Sequence, residues 1–500
     1  MRGFSRSWDM FARPARAVTV RVMTKVNMGA AFFDLDRTLL TGASGAVFSH
    51  AMRDAGMLTR SVPGEAALYE LFNRIGETLP SMALARQAAT LAKGQRQSDI
   101  QRVAAHAAQE LFDLVPPYAL SVIAHHRAEG RKLVMATTTP YDLVKPLADL
   151  LKFDDVLATR YGLNSDGTYN GRIDGPFVWN HGKLSAVRTW SEAQGIDLSD
   201  CYAYSDSVFD TPLLAAVGSP VAVNPDPRMI LMAAARRWPV MHFDVPLGVA
   251  KIPVINLELQ RLLLQLARPA FIPFAQFDID GTENIPSAGG AILCGNHRSY
   301  FDVMAIAVAV AKTGRPVRFL GKKEVFDAPL IGQLATALGG IRVDRGTGSD
   351  EPLLAASQAL SAGELVAIMP EGTIPRGPAF FDPVLKGRWG AARLAKEAKV
   401  PIIPLGLWGT ENVWPRSSRL PNLLNVTSPP QITIRVGEAL TMTAKSPDPD
   451  TKRIMLAISA LLPEEGRLKR APTEEELRRS YPSSYKGEPA NESKRRPGTD

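Results

Sequence analysis

From residue 29 to about 244 the chain alternates short apolar runs with helical stretches. GAAFFDLD (29–36), RKLVMATTT (131–139), DVLATRYGL (155–163), CYAYSD (201–206) and PVAVN (220–224) read as strands with few polar interruptions, the pattern of a parallel sheet covered on both faces. An Ala-rich, helical stretch without strand signals at 44–130 interrupts the alternation, as a cap on an α/β core does. RYGLNSDGTYNGRIDG (160–175) sets Asp-Gly and Asn-Gly between β-forming residues and predicts a hairpin. A second alternation runs through AILCGN (291–296), VRFLGK (317–322), IRVDR (341–345), ELVAIMPE (364–371), VPIIPLGLWG (400–409) and QITIRVGE (431–438). It predicts a second α/β domain.

Between the two lies INLELQRLLLQLARPAFIPF (255–274). Read as a helix from Asn256, it gathers Glu258, Arg261, Gln265 and Arg268 on one stripe and leaves a wide Leu face. That face packs on the second domain or lies in a lipid interface. The expected boundaries are a basic extension at 1–28, a first domain at 29–244, an amphipathic linker helix at 245–275, a second domain at 276–463 and a charged, disordered tail at 464–500.

Composition adds modest constraints. Five hundred residues with 58 Lys+Arg against 50 Asp+Glu carry a net charge of +8, which favours an anionic partner. Arg2, Arg6, Arg13, Arg16, Arg21 and Lys25 concentrate part of that excess at the N-terminus, where a solvated arm accounts for it. Two cysteines, Cys201 and Cys294, exclude a disulfide framework and a cysteine zinc site and fit a reducing, cytoplasmic setting. No apolar run reaches the ~18–20 residues of a membrane span, so membrane contact is expected to be peripheral, on the inner face. Aromatic–basic interleaving is lacking, so no nucleic-acid partner is expected.

Two Asp-x-Asp motifs compete for chemistry. Asp34-Leu-Asp36-Arg-Thr38 follows the first apolar run, and Asp278-Ile-Asp280-Gly-Thr282 opens the second domain. An aspartate that accepts a phosphoryl group needs a cation, a hydroxyl, an ammonium and further carboxylates around it. Asp34 has them downstream: Thr137 at a strand end, Lys183 opening a helix, and Asp206 with Asp210 in SDSVFD. Ends of neighbouring parallel strands converge on one rim of the sheet. Asp278 has no such company and is expected to lie in an edge strand leading into a Gly-Thr turn.

The ordered set around Asp34 resembles the phosphoserine-phosphatase-like branch of the haloacid-dehalogenase superfamily, a Rossmann-like core with a helical cap. The resemblance implies that Asp34 is the nucleophile and Asp36 the general acid, with Thr137 and Lys183 holding the phosphoryl group. It further implies Mg²⁺ held by Asp34, Asp206 and the backbone carbonyl of Asp36, with Asp210 in support. Ser205 and Thr137 depart mildly from the family's Gly and Ser. Phosphoserine is the default substrate, and a lipid phosphate is the alternative that explains a fusion. A catalytically silent regulatory module is the reading of a different class.

In LCGNHRSYFD (293–302), His297 and Asp302 are five residues apart, which on one regular helix separates them by roughly 140°. Ser299-x-x-Asp302 reads as a capping-box variant, with Asp302 in the first turn and His297 in the loop before it. The carboxylate can then orient one ring nitrogen and leave the other as a base. Together with Arg345, Glu371-Gly372-Thr373 and VPIIP (400–404), the set resembles the glycerophospholipid acyltransferases, specifically 1-acylglycerol-3-phosphate acyltransferases. That resemblance implies acyl-CoA as co-substrate and lysophosphatidic acid as acceptor. His297 is then the base, Asp302 its orienter, and Arg345 and Glu371-Gly372-Thr373 hold the glycerol phosphate. Ile374 stands where the family often has Arg, and Arg376 is expected to substitute.

Overall fold

The computed structural model describes residues 29–58, 70, 72–73, 76–246, 248–252, 257–328, 331–343, 351–483 and 485–486. The basic extension, Asn256 and Arg345 lie outside the described residues. Two seven-stranded sheets form the body of the molecule.

The first sheet comprises β1 (Ala30–Phe33), β2 (Lys132–Pro140), β3 (Asp155–Leu163), β4 (Tyr169–Asp174), β5 (Tyr202–Ser205), β6 (Ser219–Val223) and β7 (Val240–Met241), in the order β4-β3-β2-β1-β5-β6-β7. Every pairing is parallel except the β3–β4 hairpin. β1 explains why these runs read as continuously apolar: successive side chains point to opposite faces. Ala31 and Phe33 enter one core, while Ala30 and Phe32 enter another on the far side. Helices Ser44–Asp54, Leu79–Leu91 and Gln97–Asp113 fill the span between β1 and β2, as a cap requires.

The second sheet holds β10 (Gln276–Asp280), β11 (Ala291–Gly295), β12 (Val317–Lys322), β13 (Ile341–Val343), β14 (Leu365–Ile368), β15 (Ile402–Trp408) and β16 (Gln431–Val436), in the order β10-β16-β15-β11-β14-β12-β13. β11 repeats the two-faced logic, with Ala291 and Leu293 in one core and Ile292 and Cys294 in the other. β10, carrying Asp278 and Asp280, is an edge strand, and Gly281 turns it with φ +80° into a single 3-10 turn at Thr282–Asn284. Asp278 is spent on an ion pair with Arg435 at 2.5 Å.

Two boundaries differ from expectation. The linker is not one long helix: β8 (Lys251–Ile252) pairs with β9 (Leu257–Glu258), and the helix is confined to Leu259–Leu266. Glu258 was expected on the solvated stripe. It is instead buried and ion-paired with Arg318, a side chain with no exposure at all. A buried guanidinium needs anionic partners, and Glu258 and Glu364 supply them. The tail is ordered as far as its described residues run, with helices Glu464–Arg467 and Glu474–Ser480. Thr473 and Glu476 form a capping box, Ser480 Oγ accepts from Gly377 N at 2.9 Å, and Ser480 and Tyr481 are buried.

The two domains touch directly. Tyr118, on helix Pro117–Ala128 of the first domain, donates to Glu364 Oε2 at 2.8 Å. That carboxylate also receives Arg318 through Nε at 2.9 Å and Nη2 at 2.7 Å.

Candidate active sites

Asp34 follows directly on β1 and Asp206 on β5, neighbouring strands that bring both carboxylates to one rim. Lys183, near the start of helix His181–Gln194, is buried and bridges Asp34 Oδ1 at 2.8 Å and Asp210 Oδ2 at 2.6 Å. Ser205 Oγ donates to the same Asp210 oxygen at 2.7 Å, while Asp210 Oδ1 is buried without a partner among the described residues. Asp36 points elsewhere: its carboxylate accepts from Ser44 N at 2.5 Å and Thr139 Oγ1 at 2.9 Å, at the junction of cap and core. Thr137 is buried, and its hydroxyl oxygen accepts from Thr139 N at 3.2 Å, which leaves the hydroxyl proton to donate.

Arg37 and Glu77 belong to this cluster and were missed in the sequence. Arg37, at φ +59°, pairs with Asp206 at 3.0 Å and donates to the carbonyls of Phe72 and Asn73 in the cap. Glu77, also from the cap, accepts from Trp179 Nε1 at 3.0 Å and Ser207 Oγ at 2.7 Å. Arg37 lies inside the Asp-x-Asp-x-Thr spacing and could have been flagged; Glu77 has no periodic or motif signal.

Electrostatically the cluster is crowded with acid. Burial pushes the carboxyl of Asp34 up to about 8 against the pull of Lys183, with Asp210 and Glu77 adding to the rise. Burial likewise lifts Asp206 well above the carboxylate range, against the pull of Arg37. Lys183 is desolvated too, yet Asp210 and Asp34 hold its ammonium above the usual lysine value. Asp34, Asp206, Asp210 and Glu77 thus share two cations, Lys183 and Arg37. Among the described residues no three carboxylates or imidazoles converge tightly enough to cage an ion unaided. The donor chemistry still fits a hard divalent cation, which keeps waters beside a few carboxylates: the oxygens are anionic, crowded, and include the orphaned Asp210 Oδ1. The carboxylate of Asp36 is committed elsewhere, which leaves its backbone oxygen as the donor it could offer.

The second site forms where β11 runs into helix Asp302–Ala311. His297 lies in the intervening loop, and its Nδ1 is 2.8 Å from Asp302 Oδ2. The same oxygen accepts from Arg298 N at 2.7 Å and Ser299 N at 2.9 Å, and Oδ1 accepts from Thr410 Oγ1 at 2.6 Å. Asp302 has no solvent exposure. Four donors therefore fix its rotamer and anchor the loop; the helix N-cap is Phe301 rather than the expected Ser299, whose Oγ accepts from Phe301 N rather than from Asp302 N. Asn296 bridges to β15 through Leu407, donating to its carbonyl at 2.9 Å and accepting from its N–H at 2.8 Å.

Glu371 follows β14 and accepts from His297 N at 2.6 Å. Burial lifts it to about 8, opposed by that hydrogen bond and by Arg298. Gly372 takes φ +77° in the turn, and Thr373 Oγ1 accepts from Lys322 Nζ at 3.3 Å. Arg376 does not join the pocket around His297; its guanidinium stacks on Tyr485 at 5.0 Å. Two cations do line the pocket: Arg470 and Arg298, the latter sandwiched between Phe380 and Trp408 and bonded to Glu411. Leu462, Glu465, Leu468 and Arg470, from and beside the segment expected to be disordered, complete the wall.

The chain thus holds a capped α/β rim of carboxylates around a buried lysine and, in its second domain, a His–Asp dyad at a strand-to-helix loop. The chain belongs to the haloacid dehalogenase-like hydrolases, whose family model matches residues 31–215, and carries a second domain of the acyltransferase family, matched over residues 276–408. Phosphatases of that hydrolase superfamily generally use Mg²⁺. The chain is 34% identical over 243 residues to the inhibition of morphological differentiation protein of Streptomyces azureus, covering 48% of this chain and 87% of that one. It is 31% identical over 229 residues to phosphoserine phosphatase SerB1 of Mycobacterium tuberculosis, covering 45% and 74%. Among solved structures it is similar to the 1-acyl-sn-glycerophosphate acyltransferase PlsC from Thermotoga maritima, at 22% identity and a TM-score of 0.31 over 40% of this chain and 76% of that one. No helix among the described residues is long and apolar enough to cross a membrane.

Proposed function

We propose that the chain is bifunctional, transferring an acyl group from acyl-CoA to 1-acylglycerol-3-phosphate at His297 and hydrolysing a phosphomonoester at Asp34. The observation that carries this reading is the Asp302 carboxylate, buried and held by four donors, one of them His297 Nδ1. With Nδ1–H committed to Asp302, Nε2 is the basic nitrogen. It takes the proton from the free glycerol hydroxyl as that oxygen attacks the thioester carbonyl. When the carbon–sulfur bond breaks, the same nitrogen returns the proton to the leaving thiolate, which departs as the free thiol of CoA. Glu371, Gly372 and Thr373 hold the glycerol phosphate, with Lys322 reaching Thr373. Arg298 and Arg470, rather than Arg376, are the cations at this pocket.

At the first site Asp34 attacks phosphorus and forms an aspartyl-phosphate, while Asp36, whose carboxylate must first turn from Ser44 N and Thr139 Oγ1 toward the substrate, protonates the leaving oxygen and then takes a proton from the attacking water. Thr137 and Lys183 hold the phosphoryl oxygens. Asp34, Asp206 and the Asp36 carbonyl, beside Asp210, would hold Mg²⁺, which when bound would supply charge neutralisation at the phosphoryl group. Phosphoserine and a lipid phosphate are the two substrates in contention. A second reading, of a silent regulatory domain, is favoured by Arg37 already neutralising Asp206. The working location is the inner face of a membrane, where acceptor and product reside.

One assay tests both halves: the full chain with liposomes containing lysophosphatidic acid, labelled acyl-CoA and Mg²⁺, following labelled phosphatidic acid and free phosphate. No labelled product removes the acyltransferase reading. Absence of phosphate release there and across a phosphomonoester panel favours the silent domain.

A further inference from the structure

Arg37 stands in a backbone conformation that suits glycine, with φ +59°. Two bonds hold it there: its N–H donates to the Gly42 carbonyl at 3.2 Å, and Asn224 Nδ2 donates to the carbonyl of Arg37 at 3.1 Å. An arginine in such a place brings a side chain that glycine lacks, and this one is buried where cap meets core. Toward the core, Nε meets Asp206 Oδ2 at 3.0 Å. Toward the cap, Nη1 donates to the carbonyls of Phe72 at 2.9 Å and Asn73 at 3.0 Å. The planar guanidinium serves both directions at once, which the single nitrogen of an ammonium cannot match.

Each end of this bridge acts on something the site needs. The Phe72 carbonyl also accepts from Gly76 N at 2.8 Å, so Arg37 grips the chain just before Glu77 and cap helix Leu79–Leu91. Arg228 Nη2 holds the Glu77 carbonyl at 2.7 Å, so the cap keeps an anchor when the Arg37 bonds are lost. At the other end the guanidinium takes one oxygen of Asp206 and leaves Oδ1 with a long bond from Thr38 Oγ1 at 3.4 Å. Asp206 thus keeps an oxygen for a divalent cation while Arg37 stays in place. The charge agrees. Asp34, Asp206, Asp210 and Glu77 against Lys183 and Arg37 leave a formal excess of two negative charges, which one divalent cation cancels. Without Arg37 the excess is larger by one, and the rim attracts a cation more strongly. We propose that Arg37 is a positioning residue with two tasks: it draws the cap helix Leu79–Leu91 down on the rim around Asp34, and it trims the charge of that rim to match a single divalent cation. The proposal rests on the phosphatase reading for its purpose, but neither of its two readouts needs turnover.

The test takes the full chain unmodified, as Arg37→Gln and as Arg37→Lys, and reads calorimetric titration with MgCl₂ and amide hydrogen exchange. Arg37→Gln should bind Mg²⁺ roughly tenfold more tightly, because a buried positive charge beside the ion is gone. Arg37→Lys keeps that charge and should bind within about twofold of the unmodified chain. Exchange across 76–91 should quicken roughly tenfold in both variants, since neither side chain reaches Asp206 and both carbonyls together. Exchange in helix His181–Gln194 should not change. Damage to the fold weakens ion binding and loosens the cap together, whereas here the two readouts of Arg37→Gln move in opposite directions. Weaker or unchanged Mg²⁺ binding in Arg37→Gln, or unchanged exchange across 76–91 in both variants, overturns the proposal, as does an unmodified chain that binds no Mg²⁺. Should Arg37→Gln fail to fold, Arg37→Lys decides alone: kept affinity with faster exchange across 76–91 supports the proposal, and any other result overturns it. The expected shifts in both readouts, with no phosphate released from any phosphomonoester, leave the role of Arg37 standing and remove hydrolysis at Asp34 instead.

Discussion

The two sites solve the problem of a buried charge in opposite ways. Asp302 is neutralised locally: four protein donors satisfy its oxygens, and the loop that carries His297 is built around it. The Asp34 cluster leaves its balance incomplete. Four acidic side chains share Lys183 and Arg37, burial drives Asp34 and Asp206 upward, and Asp210 Oδ1 has no partner among the described residues. A site of the first kind is ready as folded, whereas one of the second kind is arranged for charge that arrives later. The arrival can be a cation, a phosphoryl group or both.

The strongest way to break the comparison is to delete chemistry from one site and assay the other. Asp34→Asn should lower phosphate release by at least ~10⁴-fold, in the range seen when a nucleophile is removed, and leave acyl transfer untouched. His297→Ala should lower acyl transfer by roughly 10²–10⁴-fold and leave phosphate release untouched. A shared loss in either variant means that the halves do not work as separate sites.

Adding cation sharpens the contrast next. Saturating Mg²⁺ should raise the unfolding temperature of the first domain, since a ligand at 100 times its Kd stabilises the folded state by about 2.7 kcal/mol. Asp206→Asn should abolish that shift, and the acyltransferase transition should not move in either protein. Differential scanning calorimetry with and without EDTA reads both transitions. A shift that persists in Asp206→Asn assigns the ion to a different place.

Much of this was legible because of where the chemistry sits. β1, β5 and β11 announce themselves as apolar runs buried on both faces, and Asp34, Asp206 and Asn296-His297 follow directly at their ends. Side chains delivered by loops and by the cap were not legible. Glu77 and Thr410 meet the sites through contacts between residues 100 or more positions apart, and nothing in their own neighbourhood marks them. Glu258 was misplaced for the same reason: helical spacing put it on a solvated stripe, but Arg318, 60 residues later, needs a buried anion. The C-terminal segment was misjudged from composition, since a charged stretch can still carry a capping box and an anchor such as Ser480.

A subtler contrast concerns Glu371, the one strongly shifted carboxyl at the second site. Its folded value near 8 lies above the ordinary 4.5, mainly through burial. The folded state therefore binds the extra proton between about pH 4.5 and 8, so this group's stabilisation is present at low pH and is lost as pH rises through that window. One such group contributes a slope of at most ~1.4 kcal/mol per pH unit. In Glu371→Gln, urea unfolding of the acyltransferase domain at pH 5.5 and 8.5 should differ by less than in the unmodified chain. An unchanged slope means that Arg298 and His297 N keep Glu371 ionised throughout.

The smallest expected effect asks whether the two halves unfold independently. Tyr118 Oη and Glu364 Oε2 join the domains, but Glu364 keeps both Arg318 bonds if the hydroxyl is removed. Tyr118→Phe therefore strands no charge and should cost only about 1 kcal/mol, the net worth of one hydrogen bond. For domains of this size that corresponds to roughly 2–4 °C. Following phosphatase and acyltransferase activity through a slow thermal ramp, loss of the two activities should coincide in the unmodified chain and separate slightly in Tyr118→Phe. Curves already separate in the unmodified chain leave the Tyr118–Glu364 bond as a contact between independent units. Coincident curves that stay coincident in the variant mean that the domains are held together by the wider interface, including the packing of helix Pro117–Ala128 on helix Glu351–Ser361.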